Sequence, residues 1–321
     1  MKIDELDLLE AVLKLPEEKL HTIMAHILED NGYDNIIMAD SYIIAKGDID
    51  ICVVAHMDII HPHPPVKVVL NTSKNKLWSP SGLGADDRAG IFLILLLIRD
   101  GLRPHLILTL GEEAGGVGAS TLAQDIHEPP FPVKYMIELD RANENDCVFY
   151  DCNNKEFRKY IESFGFETEL GTYTDITFIA PEWNVAAVNL SVGYVNEHTN
   201  SEVLFLDWMM STYKKLDRML RDSKNIENFK YIPKVYQLEE IVMCEGCGEL
   251  EDLWATLPIS DNYGNPHYYC LNCLASDKIG WCEKCGTPYI VNSTGIQNLC
   301  PNCNEEELWQ KVLSPKQTPF L

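Results

Sequence analysis

Three shortages frame this sequence of 321 residues. Long apolar runs are missing. The longest, Ile91–Ile98, has eight residues, against the roughly 20 that a membrane-crossing helix needs. No apolar leader opens the chain, and Met1–Leu15 carries four acidic residues, so no secretory signal and a cytoplasmic location are expected. Positive charge is also short, with 26 Lys and Arg against 49 Asp and Glu and a formal net charge of −23. A surface of that sign repels phosphate backbones and anionic headgroups, which argues against nucleic acid and membrane partners. Cysteine is scarce until late. Only Cys52, Cys147 and Cys152 precede residue 240, too few for a disulfide framework, and disulfides are rare in the cytosol in any case.

What is present reads as a globular protein, 46% hydrophobic and 23% charged. The length exceeds what one core usually fills, so a large domain with an appendage is expected. Asp4–Asp30 has apolar residues near helical spacing, and Asn31-Gly32 stops it. Ser41–Lys46 and Ile51–Ala55 are rich in Ile and Val and read as strands. Pro62, Pro64 and Pro65 exclude regular structure in their loop. Asp86–Asp100 reads as a helix apolar enough to be buried on most sides. His105–Leu110, Val133–Leu139 and Ala186–Leu190 read as strands, and Gly118–Gln124 and Glu202–Leu220 as helices. Such alternation predicts an α/β fold, a mostly parallel or mixed central sheet flanked by helices. Near Lys234–Glu240 the composition changes. The expected organisation is a catalytic-type domain over residues 1–236 and a small Cys-rich domain over residues 237–321.

Five segments of the larger part place a His or carboxylates just past an apolar run, where open α/β sheets collect ligands. The first is Val53-Val54-Ala55-His56-Met57-Asp58. The second is Gly82-Leu83-Gly84-Ala85-Asp86-Asp87-Arg88-Ala89-Gly90. The third is Leu108-Thr109-Leu110-Gly111-Glu112-Glu113-Ala114-Gly115-Gly116. The fourth ends in Glu138-Leu139-Asp140-Arg141, and the fifth in Asn196-Glu197-His198-Thr199. Each alone has an ordinary reading: a polar strand end, a helix cap, a solvated turn, a surface His. Alternation puts His56 and Asp58 on one face, and paired acids such as Glu112 and Glu113 repel each other unless cations lie near.

Taken in order, the five segments resemble the co-catalytic dinuclear zinc exopeptidases, the superfamily of zinc aminopeptidases and carboxypeptidases. The resemblance spans roughly residues 51–202. It implies two zinc ions sharing Asp86, one held by His56, Asp86 and Asp140 and the other by Asp86, Glu113 and His198. It further implies Glu112 as general base, Asp58 as the carboxylate that steers His56, and a cis peptide at Asp86–Asp87. The implied activity is that of a metallopeptidase: hydrolysis of a peptide or peptide-like amide by zinc-activated water, with an aminopeptidase as the leading form. This sequence departs from many relatives in being compact. Only 84 residues separate Glu113 from His198, and 29 separate His56 from Asp86, leaving no room for the dimerisation or specificity domains inserted there. Oligomeric state is therefore open. His61 and His63 are read as pocket-rim residues, not ligands. Tyr173 or Tyr194 could face an oxyanion, with a core or surface role the ordinary alternative. Asp175 is read as a helix cap, with contact to a substrate amine as the alternative.

The remaining eight cysteines form four C-x-x-C knuckles, Cys244/Cys247, Cys270/Cys273, Cys282/Cys285 and Cys300/Cys303. Two knuckles complete one tetrahedral thiolate site, so two structural zinc ions in a zinc-ribbon-like module are expected. Pairing in chain order closes the shorter loops and is favoured over a cross-braced arrangement. Residues 241–321 hold ten acidic and four basic residues, which argues against phosphate contact and leaves a protein partner as the expected role for the tail. Two other functional readings stay open: an N-acyl amino-acid or amide deacylase using the same water chemistry, and an inactive peptidase-like scaffold whose working part is the tail.

Overall fold

The computed structural model describes residues 1–234, 241–260, 266–275, 279–286, 288–290 and Cys303. The chain divides into two compact units, Met1–Lys234 and Val235–Leu321. The first opens with helices α1 (Ile3–Lys14) and α2 (Glu17–Asp30), followed by strands β1 (Asp34–Met38), β2 (Tyr42–Lys46) and β3 (Ile49–His56). A hairpin of β4 (Val69–Asn71) and β5 (Lys76–Trp78) precedes α3 (Ala85–Arg99), β6 (Pro104–Thr109), α4 (Val117–Asp125) and β7 (Met136–Arg141). Then come β8 (Asp146–Val148), α5 (Lys155–Glu162), β9 (Glu167–Thr168), α6 (Ile176–Trp183), β10 (Ala187–Ser191), β11 (Tyr194–Val195), β12 (Val203–Phe205) and α7 (Leu206–Arg221).

An eight-stranded mixed sheet runs β1-β2-β6-β3-β7-β10-β8-β9. Its centre, β6-β3-β7-β10, is parallel, and β1, β2 and β8 join antiparallel. Strand alternation sends side chains to two separate cores. Val53, Ala55, Leu106 and Leu108 face the one shared with α1, α2, α3 and α7. Cys52, Val54 and Ile107 face the one shared with α4 and α6. The result is the α/β architecture expected, a mixed sheet between helical layers. Every residue of α3 from Ala85 to Ile98 is buried, which is why its sequence shows no polar face. Gly90 lets this helix approach β7, since a Cβ there would sit 2.4 Å from the Leu139 carbonyl oxygen. Buried Arg88 donates from one guanidinium nitrogen to the carbonyls of Val12 (3.0 Å) and Leu15 (2.9 Å), fastening the end of α1.

One element differs from expectation. Val203–Phe205 is a strand paired with β5 and β11, not the start of a helix. Val, Leu and Phe suit a pleated surface, and fully buried Leu204 is held by its pairing with Leu77. The helix begins at Leu206. No helix among the described residues is long and apolar enough to cross a membrane.

In the second unit, the described residues form short antiparallel pairs: β13 (Ile241–Met243) with β14 (Leu250–Asp252), β15 (Thr256–Ser260) with β16 (Pro266–Cys270), and β17 (Ile279–Trp281) with β18 (Pro288–Ile290). A short helix, α8 (Leu271–Ala275), follows β16.

Candidate metal centre

The four parallel strands end on one edge of the sheet, and the residues after them converge there. His56 closes β3 opposite Thr109 of β6. Glu112 and Glu113 follow β6, Asp140 is the next-to-last residue of β7, and His198 sits in the loop between β11 and β12. Asp86 arrives at the head of α3. Gly84 takes a left-handed conformation (φ 65°) that turns the chain toward the site. The Asp86–Asp87 peptide is cis. Asp87 is fully buried and accepts from the Gly90 amide at 2.9 Å, so it caps the helix and does not point its acid into the site.

Asp86 stands between two histidines. Its Oδ1 lies 3.0 Å from His56 Nε2, which is 3.4 Å from Asp140 Oδ1. Its Oδ2 lies 3.2 Å from His198 Nε2, which is 3.0 Å from Glu113 Oε2. In each of the two triads, His56–Asp86–Asp140 and Asp86–Glu113–His198, the donor atoms lie within 4.8 Å of one another. Glu112 belongs to neither.

The surroundings fix these groups. Asp58 Oδ1 is 3.4 Å from His56 Nδ1, on the ring edge away from the triad. The same carboxylate accepts from the amides of Glu112 (3.3 Å) and Glu113 (3.2 Å), tying β3 to the turn after β6. Asp140 receives Thr174 Oγ1 (2.9 Å) and Tyr194 Oη (3.0 Å), while Asn189 exchanges two hydrogen bonds of 2.9 Å with its backbone. Tyr194 is therefore spoken for as a core residue. Tyr173, partly exposed, donates to the Glu112 carbonyl at 3.1 Å. Asp175 corrects its expected role. Its carboxylate makes no cap contact with α6 and accepts instead from Thr109 Oγ1 in a fully buried position that no substrate amine reaches. His61 approaches Glu202, not a triad, and His63 takes part in neither.

The electrostatics are those of crowded acids. Burial pushes Glu112 up to about 8 and Glu113 up to about 7, with neighbouring carboxylates adding to the effect. Burial likewise raises Asp175 to about 7 and holds Glu138 well above the carboxylate range. Burial would lower His56, but Asp140, Asp58 and Asp86 around it hold it well above an ordinary imidazole. Its contact with Asp86 lifts His198 to about 9. Protons thus gather where positive charge is wanted, and divalent cations would displace them. The donors fit zinc. They are carboxylate and imidazole, they form two triads around one shared carboxylate, and Glu113 Oε1 is buried without a hydrogen-bond partner. Sequence reasoning missed the supporting residues Glu202, Thr174 and Asn189. Asn189 left a signal, as a polar residue in the middle of the mainly apolar β10.

In the second unit, Cys244, Cys247, Cys270 and Cys273 bring their sulfurs within 4.8 Å of one another, and Cys282, Cys285 and Cys303 do the same. Grouping follows chain order. Cys300 lies outside the described residues. Gly248 and Gly286 donate to the carbonyls of Cys244 and Cys282 at 2.8 Å, both with positive φ, giving two knuckles of the same shape. Burial opposes ionisation of Cys244, but the amides of Cys270, Cys247 and Gly246 pull it down to about 6.

No protein-family model matches the sequence, and no curated protein matches it. Solved structures do match in fold. A tripeptidase from Staphylococcus aureus superposes with a TM-score of 0.57 at 12% identity, over 69% of this chain and 98% of its own. The aminopeptidase PepT of Bacillus cereus gives 0.56 at 15% identity, over 68% and 98%. The TET1 peptidase of Pyrococcus horikoshii gives 0.51 at 15% identity, over 67% and 99%. At such identities the likeness is one of fold, and the fold is the one that the order of motifs implied.

Proposed function

We propose that this protein is a zinc-dependent exopeptidase, an aminopeptidase acting on short peptides, with two zinc ions in the site and two structural ones in the Cys-rich unit. The observation that carries the reading is Asp86. It offers one oxygen to each of two His-carboxylate triads while the neighbouring Glu112 is left uncommitted. His56, Asp86 and Asp140 would hold one ion, and Asp86, Glu113 and His198 the other. Ions so placed would lower the pKa of a water between them and polarise the scissile carbonyl.

Glu112 then has the proton work. It takes the proton from the attacking water and returns it to the leaving amine. Glu113 cannot share this task, because its carboxylate faces His198 and Asp86. Asp58 orients His56 and fixes the amides beneath both glutamates, so the base and the ligand keep a set separation. No disulfide joins the described cysteines, which suits thiolate metal sites and a reducing, cytoplasmic compartment.

The test is hydrolysis by the zinc-loaded full chain of a panel of aminoacyl amides, di- and tripeptides and N-acyl amino acids, with products identified. Release of amino-terminal residues is expected. Glu112→Gln should cut kcat by about 10²–10⁴-fold with zinc content unchanged. Turnover of N-acyl substrates alone would make it a deacylase, and no turnover with about two zinc ions per chain would make it a scaffold.

A further inference from the structure

Glu202 is a fully formed acid inside the protein, about 1% exposed, with no place in the triads. It lies four residues beyond His198 in the same loop, just before β12. Its two oxygens reach across to the head of α3. Oε2 accepts from the Gly84 amide at 2.6 Å and Oε1 from the Asp86 amide at 3.0 Å. Left-handed Gly84 (φ 65°, ψ 37°) aims those amides into one concavity, a backbone nest of the kind that binds anions. His61 Nε2 stands 3.6 Å from the Oε2 side. Such a nest is usually filled by a ligand. Here it is filled by the chain's own carboxylate.

The consequence falls on the shared Asp86 and on the loop of His198. Glu202 joins the loop of His198 to the backbone of Asp86, and these are two of the three residues in the Asp86–Glu113–His198 triad. His56 and Asp140 have supports of their own in Asp58, Thr174, Tyr194 and Asn189. Building on the two-zinc reading above, we propose that Glu202 is a positioning residue: a carboxylate clasp that fixes the bridging Asp86 and the His198 loop, and so governs the His198 ion more than the His56 ion, which shares Asp86 but keeps its other supports. A fully buried carboxylate persists only where hydrogen bonds or charge answer it, and here the amides of Gly84 and Asp86 do so.

Zinc affinity is read by titrating the full chain against graded chelator, alongside Tm and steady-state kinetics. Glu202→Gln keeps the shape but turns one acceptor into a donor facing an amide. Glu202→Ala opens the nest. Both should leave the two tail ions tightly held, weaken the His198 ion by about 10–100-fold and weaken the His56 ion less, as loss of a ligand-supporting group does elsewhere. kcat should fall with KM little changed. Added formate, small enough to occupy the vacated nest, should restore zinc affinity to Glu202→Ala. Glu202→Gln decides if the alanine variant fails to fold. Four ions bound by Glu202→Gln with wild-type affinity would overturn the proposal, as would equal weakening of both site ions. A wild-type chain that binds only the two tail ions would instead sink the two-zinc reading itself.

Discussion

The chain holds two collections of metal donors built on opposite plans. In the first unit, carboxylates and imidazoles are delivered by a large apolar framework that does not need them. α3 is buried from Ala85 to Ile98, and both faces of the sheet are covered by apolar side chains. In the second, the donors are prominent among the described buried residues. Among its described residues, Cys282, Cys285 and Cys303 form a buried cluster with no aliphatic member, and around the other knuckles Tyr269 and Thr256 are buried beside Cys244 and Cys270. A framework that stands without metal can hold ions in an open, reactive geometry. A framework made of thiolates closes around its ion and leaves no position for substrate. The same element would then serve chemistry in one place and folding in the other.

Metal removal separates the plans most sharply. Exhaustive chelation should abolish hydrolysis completely and unfold the second unit, because zinc supplies most of the stability of such small modules. The first unit should survive. Limited proteolysis ought to cleave freely beyond residue 235 while a fragment close to Met1–Lys234 resists, with its helical circular dichroism intact. Collapse of both units together would show that the acid cluster cannot tolerate an empty site, and the contrast would fall.

A smaller effect tests how the first unit prepares its ligands. Asp58→Asn leaves the fold alone, but the amide can offer one oxygen where the carboxylate serves His56 and two backbone amides. Zinc affinity and kcat/KM should each drop by about 10–100-fold, with Tm little altered. An unchanged affinity would mean that β3 alone sets the His56 ring.

How far these plans could be read beforehand differs between the units. Of the proposed ligands of the first, His56, Glu113 and Asp140 were legible because they end or follow apolar parallel strands on one edge, and Asp86 and His198 only from the order of motifs. What supports them was not. Glu202 meets Gly84 across 118 positions of sequence, and no periodicity encodes such a contact. The β4–β5 hairpin went unseen because three-residue strands carry too little pattern. Val203–Phe205 was absorbed into the following helix because Val203, Leu206 and Met210 already have helical spacing. Asp175 looked like a cap because Asp commonly caps helices, but tertiary burial took its carboxylate elsewhere. In the second unit the knuckles were plain from spacing, and the rest of the tail carries little apolar pattern to read.

The smallest expected effect is the one most informative about independence. The Cys244 sulfur accepts from the Cys270 amide at 3.3 Å, and, against burial, backbone amides hold its thiol below the ordinary value; a hydroxyl oxygen would accept from the same amides. Cys244→Ser should therefore keep the turn while losing the thiolate, so one zinc of about four leaves and the tail becomes sensitive to protease. Hydrolysis of a small aminoacyl amide should stay within about twofold of wild type, since Cys244 belongs to neither triad and lies in the other compact unit. A loss of kcat far beyond that, with the first-unit ions still bound, would mean that the Cys-rich unit contributes to the reaction and is more than a separately folded appendage. A rise in KM confined to longer peptides would instead assign it to substrate binding. Only an unchanged profile across substrate lengths keeps the two metal plans separate.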